Sequence, residues 1–182
     1  FLNMDFKFSD KKYWVMGVIN VTNDSFYNAS RKGTSKEILA LAEDMVRDGA
    51  DILDIGAESS RPGSLPIKEE TEIDRLKNII PDLVKRFPVP VSVDTYKPKV
   101  AECALDGGAT IINDITGLRT HPETASIVAK FNAGMVLMHM QGTPQAMQEN
   151  PSYENLLSEV KLFLKESAGK AVKEGISRDK IA

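Results

Sequence analysis

Five times in succession the chain runs through a short apolar segment, then a polar tip, then a stretch of helical periodicity. The apolar segments are Trp14–Asn20, Asp51–Ile55, Val89–Asp94, Ala109–Asn113 and Met135–His139. Short runs of this kind, bounded by turn residues, predict strands, and strands without polar alternation predict parallel pairing with both faces covered. A helix is expected from about Lys36, opened by a Thr34/Glu37 capping pair and stopped at Gly49. A second is expected over roughly Glu69–Phe87 with a kink at Pro81, and a third from Pro98 to Gly107-Gly108. A short fourth lies near Glu123–Phe131, and a long fifth near Tyr153–Glu174.

Two architectures are built from such units: the eight-stranded (β/α)₈ barrel and the open doubly wound sheet. No glycine-rich fingerprint follows the first strand, which argues against a dinucleotide fold. Each strand instead leads to a polar group, namely Asn20, Glu58 beyond Gly56, Asp94, Asn113 and His139. A closed barrel gathers such groups at one mouth, so the expected fold is an α/β TIM (β/α)₈ barrel. A complete one needs about 250 residues, and this sequence has 182. The expectation is therefore a single domain over 1–182 holding about five βα units, truncated where a sixth strand ought to begin near Ile181.

The formal charge of −3 carries no basic block, so neither nucleic acid nor an acidic membrane surface is an expected partner. No run approaches the roughly 18 apolar residues of a membrane span, residues 1–10 lack the pattern of a signal peptide, and the chain reads as cytoplasmic. The lone cysteine, Cys103, sits among Ala101, Ala104 and Leu105 and reads as a small core residue.

Several strand-end residues suit ligand chemistry. Asn20 offers a carboxamide oxygen of the kind Mg²⁺ accepts, although a loop cap explains it equally well. Ser60-Arg61-Pro62-Gly63 can present a hydroxyl, a guanidinium and backbone N–H groups to an anion, or form a stiff surface turn. Asp94 and Asn113, at the ends of adjacent strands, can bond a planar heterocycle with amide and amine edges, or cap loops. Lys97 is expected to face solvent or an anionic ligand, and His139 has no second ligand at metal spacing.

Taken in order, five segments resemble dihydropteroate synthase of the pterin-binding family. They are Val18-Ile19-Asn20-Val21-Thr22-Asn23-Asp24-Ser25-Phe26, Glu58-Ser59-Ser60-Arg61-Pro62-Gly63, Val91-Ser92-Val93-Asp94-Thr95-Tyr96-Lys97, Ile111 through Leu118, and Met138-His139-Met140-Gln141-Gly142-Thr143-Pro144. The resemblance covers the N-terminal two-thirds of the family pattern. It implies a transferase of folate biosynthesis that joins p-aminobenzoate to 6-hydroxymethyl-7,8-dihydropterin diphosphate and releases pyrophosphate. It implies Asn20 as the Mg²⁺ ligand, Ser60 and Arg61 as diphosphate contacts, Asp94 and Asn113 as holders of the pterin ring, and Met138 packing against it. Asn20, Arg61 and Asp94 are the implied catalytic residues.

The resemblance also allows a homodimer of the full-length protein. Two departures are visible: Asn23 stands where the family usually has proline, and Ser60 where threonine is common. The competing expectations are a catalytically inactive barrel fragment, a pterin-dependent methyltransferase on the same barrel, and a non-catalytic scaffold.

Overall fold

The computed structural model describes residues 6–21, 31–59, 65–144, 146–148 and 150–182, without the side chains of 31–34. Its five strands are β1 (Met16–Asn20), β2 (Ile52–Gly56), β3 (Val91–Asp94), β4 (Ile111–Asp114) and β5 (Gly134–Leu137). They form one sheet in the order β1-β2-β3-β4-β5, every pair parallel. Strictly sequential order without a switch point is the arrangement of barrel staves. The backbone at Ile181 pairs in parallel with Met135, and the Ala182 N–H donates to the Met135 carbonyl at 3.0 Å.

Among the described residues six α-helices accompany the strands: α1 (Arg31–Arg47), α2 (Glu69–Leu76), α3 (Ile79–Arg86), α4 (Pro98–Asp106), α5 (Thr124–Lys130) and α6 (Leu156–Lys173). Alternate strand residues meet these helices. A Cβ on Gly17 would come within 2.9 Å of Met45 Sδ on α1, and Ile19, Leu53, Ile55, Val91, Val93 and Ile112 share a core with Ile38, Leu76, Leu83 and Val100. The other parity faces inward. At the N-terminal end of the sheet, Phe6 packs with Ile52 and Ile111, flanked by Phe8, Trp14 and Met16. The Phe6 ring lies 4.8 Å from Phe8 and 4.9 Å from Trp14, centroid to centroid. Aromatic residues thus plug the end of the sheet opposite the strand tips.

Several elements differ from expectation. The first helix begins at Arg31, so Thr34 and Glu37 lie inside it and do not mark its start. The helix over 69–87 is two helices divided at Lys77-Asn78. Pro81 lies in the first turn of α3, where the absent N–H would have had no intrahelical partner, so it does not kink a continuous helix. The fifth strand ends at Leu137, leaving His139 two residues beyond it. The His139 ring packs 4.9 Å from Phe163 and 5.8 Å from Tyr153 instead of joining the strand tips.

The loop after β4 is tied by Asp114, whose carboxylate accepts from the Thr116 N–H and hydroxyl and from the Leu118 N–H at 2.7–2.8 Å. Gly117, at φ 58°, sits against α6: an added Cβ would come within 2.6 Å of the Phe163 ring and 2.8 Å of the Met138 carbonyl. A methyl there must displace both a ring and a main-chain oxygen. Gly117→Ala is therefore expected to cost about 2–3 kcal/mol, read as a lower urea midpoint at unchanged slope.

Candidate functional site

Register decides what meets at the mouth. Asn20 pairs with Gly56, Gly56 with Asp94, and Asp94 with Asn113, so these four occupy one layer at the C-terminal tips of β1 to β4. Gly56 contributes no side chain to that layer. A Cβ built there would lie 3.3 Å from Asn20 Oδ1 and 3.5 Å from Asp94 Oδ2, so the two polar tips lean over the gap from either side. Asn113 joins from below through Asp54, since its Nδ2 donates to Asp54 Oδ2 at 3.1 Å.

Asp54 belongs to the layer beneath, paired with Ser92 and Val18. It is buried, and accepts the Ser92 hydroxyl at 2.6 Å. Burial raises its pKa above the ordinary aspartate value, while the donors Ser92 and Asn113 work against that rise. A carboxylate can only accept, so it fixes the amide end of Asn113 toward itself. Asp94 is pushed up further, to about 7, first by burial and then by the fields of Asp54, Glu72, Asp114 and Glu58. A carboxyl that changes charge near neutrality at a strand tip is suited to bonding a polar heterocycle in either protonation state.

Beside Asp94 runs a narrow cleft lined by Glu58, Ser59, Glu72, Thr95, Tyr96, Ile115 and Pro144. Lys97 does not face solvent, contrary to expectation. Its side chain is buried, and its ammonium donates to Glu58 Oε2 at 2.6 Å, Glu72 Oε2 at 2.7 Å and the Ile67 carbonyl at 2.7 Å. Burial works against its charge, but the two glutamates outweigh that and hold its pKa above the usual lysine value. Pro98 starts α4 directly after it, and the β3–α4 turn places the ammonium between Glu58, Ile67 and Glu72.

Asn20, Asp94 and Asn113 come together. Met138 continues past β5, with its N–H on the Asp114 carbonyl at 3.2 Å and its side chain half-buried. Ser60 and Arg61 lie outside the described residues, as do Asn23 and the side chains of Arg31 and Lys32. Sequence reasoning missed Asp54 and Ser92. Counting back two residues from each strand tip would have found both, because inward parity repeats every second residue.

A family model described as pterin binding enzyme matches residues 16–182. The chain belongs to the pterin-binding enzyme family. Among curated members, the dihydropteroate synthase of Bacillus subtilis is 40% identical over 171 residues, covering 94% of this chain and 58% of its own length. The corresponding enzyme of Clostridium beijerinckii is 37% identical over 177 residues, covering 97% of this chain and 63% of its own length. The chain thus spans about three-fifths of these relatives.

Among solved members of the family, the Clostridium difficile dihydropteroate synthase in the presence of pteroic acid superposes with a TM-score of 0.84 at 36% identity. That superposition covers 94% of this chain and 63% of that one. Five consecutive staves of the family's (β/α)₈ barrel are therefore present here. No helix among the described residues is long and apolar enough to cross a membrane.

Proposed function

We propose that this chain carries the pterin half of a dihydropteroate synthase site, in a protein that condenses 6-hydroxymethyl-7,8-dihydropterin diphosphate with p-aminobenzoate and releases pyrophosphate. The observation that supports the reading most is the meeting of Asn20 and Asp94 over Gly56, with Asn113 held alongside by Asp54. Asp94 and Asn113 hydrogen-bond the edge of the pterin ring, and Met138 packs against its face. Ser60 and Arg61 contact the diphosphate. The relative solved with pteroic acid makes a pterin-bearing ligand the natural choice for this mouth. Cytoplasmic residence and a homodimer of the full-length protein belong to the same proposal.

A divalent cation fits one position. Among the described residues no three His, Cys, Asp or Glu side chains gather to cage a metal. Asn20, exposed at the tip of β1 with Oδ1 beside Gly56, offers one hard oxygen. That suits Mg²⁺, which keeps most of its waters and arrives with phosphate oxygens. When bound there it would neutralise charge on the departing pyrophosphate. The protein's own share is positioning: Asp94 and Asn113 fix the ring, and Arg61 adds positive charge at the leaving group.

The full-length protein is expected to form 7,8-dihydropteroate from the two substrates, and failure to do so overturns the reading. Asn113→Ala is expected to weaken pterin binding by about 1–3 kcal/mol, because it strips the ring of a partner and frees Asp54. Calorimetry with the pterin alone checks this, and unchanged affinity removes Asn113 from the pocket.

A further inference from the structure

Lys97 has no part in the chemistry above, yet it ties together three segments at the mouth. Glu58 follows β2 and Ile67 precedes α2, so they stand at the two ends of one connection. Glu58 Oε2 accepts the Ile67 N–H at 2.8 Å, and Lys97 donates to both that same oxygen and the Ile67 carbonyl. From the β3 side, the Tyr96 hydroxyl donates to Glu58 Oε1 at 2.9 Å, and Arg75 Nη1 reaches the Ala57 carbonyl at 2.7 Å. Glu72 on α2 supplies the third acceptor for the ammonium.

We propose that Lys97 is a positioning residue that clamps both ends of the β2–α2 connection against the tip of β3. It thereby sets where the connection bearing Ser60 and Arg61 leaves and re-enters the mouth beside Asp94. The inference rests on the transferase reading and adds to it the element that aligns the anion end of the substrate site with the ring end. Three acceptors in three directions match the three donors of an ammonium, which a planar guanidinium would not reproduce. Stability alone does not call for such a cluster, since apolar packing of similar volume holds a loop at least as well as buried charges do. A directional tie fixes geometry that apolar packing leaves loose.

The test compares binding of 6-hydroxymethyl-7,8-dihydropterin diphosphate with that of the dephosphorylated pterin, by calorimetry on the full-length protein. The variants are Lys97→Met/Glu72→Gln, which removes the ammonium together with one carboxylate it would strand, and Tyr96→Phe, which deletes one hydroxyl. The double variant is expected to lose about ten- to a hundredfold in affinity for the diphosphate and at least threefold less for the dephosphorylated pterin, whose partner Asp94 loses only the field of Glu72. Tyr96→Phe shifts the same ratio in the same direction by less, and it decides the matter if the double variant does not fold. Equal losses for both ligands, or no loss in folded variants, overturn the proposal. A parent protein that shows no preference for the diphosphate overturns the transferase reading instead.

Discussion

Lys97→Met is expected to lower the unfolding free energy by about 3–5 kcal/mol, the usual cost of removing one partner from a buried ion pair. Its side chain is 8% exposed and that of Glu72 only 1%, so loss of the ammonium strands a buried carboxylate. Burial already raises the pKa of Glu72 even with Lys97 present, hydrogen bonds from Lys97 and Thr95 opposing the rise. Without the lysine that carboxyl takes up a proton more readily still. The penalty is therefore largest at alkaline pH and shrinks toward acidic pH, where a neutral Glu72 is tolerated. Urea unfolding of the single variant at two pH values checks this, and adding Glu72→Gln recovers part of the loss because the two sites couple. A penalty under about 1 kcal/mol, as for a solvent-exposed pair, would show that the three-way contact is not formed in solution.

Asp94→Asn is expected to make the fold more stable at pH 8 and hardly change it near pH 4. The carboxyl titrates at about 7 in the folded protein against an ordinary value of 3.8. The folded state therefore holds this proton more tightly than the unfolded state does. As pH rises through that window the unfolded chain gives up the proton first, stability falls, and above about 7 the loss is complete. A neutral amide avoids that loss, for an expected gain on the order of 2–4 kcal/mol at pH 8. The same change is expected to weaken pterin binding, since an amide cannot accept through both of its termini. Thermal melts across pH together with calorimetry would show stability and affinity moving in opposite directions, as is common where a binding group is held in a costly environment. A stability difference independent of pH would mean that Asp94 is better solvated than its place at the strand tips implies.

The strands and their partners were legible because burial on both faces leaves a mark in composition: Ile52-Leu53-Asp54-Ile55 and Val91-Ser92-Val93 are apolar apart from single inward polar residues. The meeting of Asn20, Asp94 and Asn113 was legible for a related reason, since parallel register places the ends of sequential strands side by side. Helix boundaries were less so. Lys77-Asn78 carries no strong breaker, yet the β2–β3 crossover divides there into α2 and α3. The Lys97 cluster was not legible at all. Its partners Glu58, Ile67 and Glu72 lie 25 to 39 residues away in sequence, and a lysine three residues past a strand reads as solvated until the fold brings two carboxylates to it.

Gly56 carries one more implication. Between Asn20 and Asp94 the floor is bare peptide, pinned on one side by the 2.7 Å bond from the Val21 N–H to the Gly56 carbonyl. Side-chain floors yield to a bulkier guest by turning a rotamer; a hydrogen-bonded main chain does not. On the pterin reading proposed above, discrimination by thickness at this spot is built into the sheet itself: a ring laid over Gly56 meets main chain, and a bulky substituent on its underside is penalised.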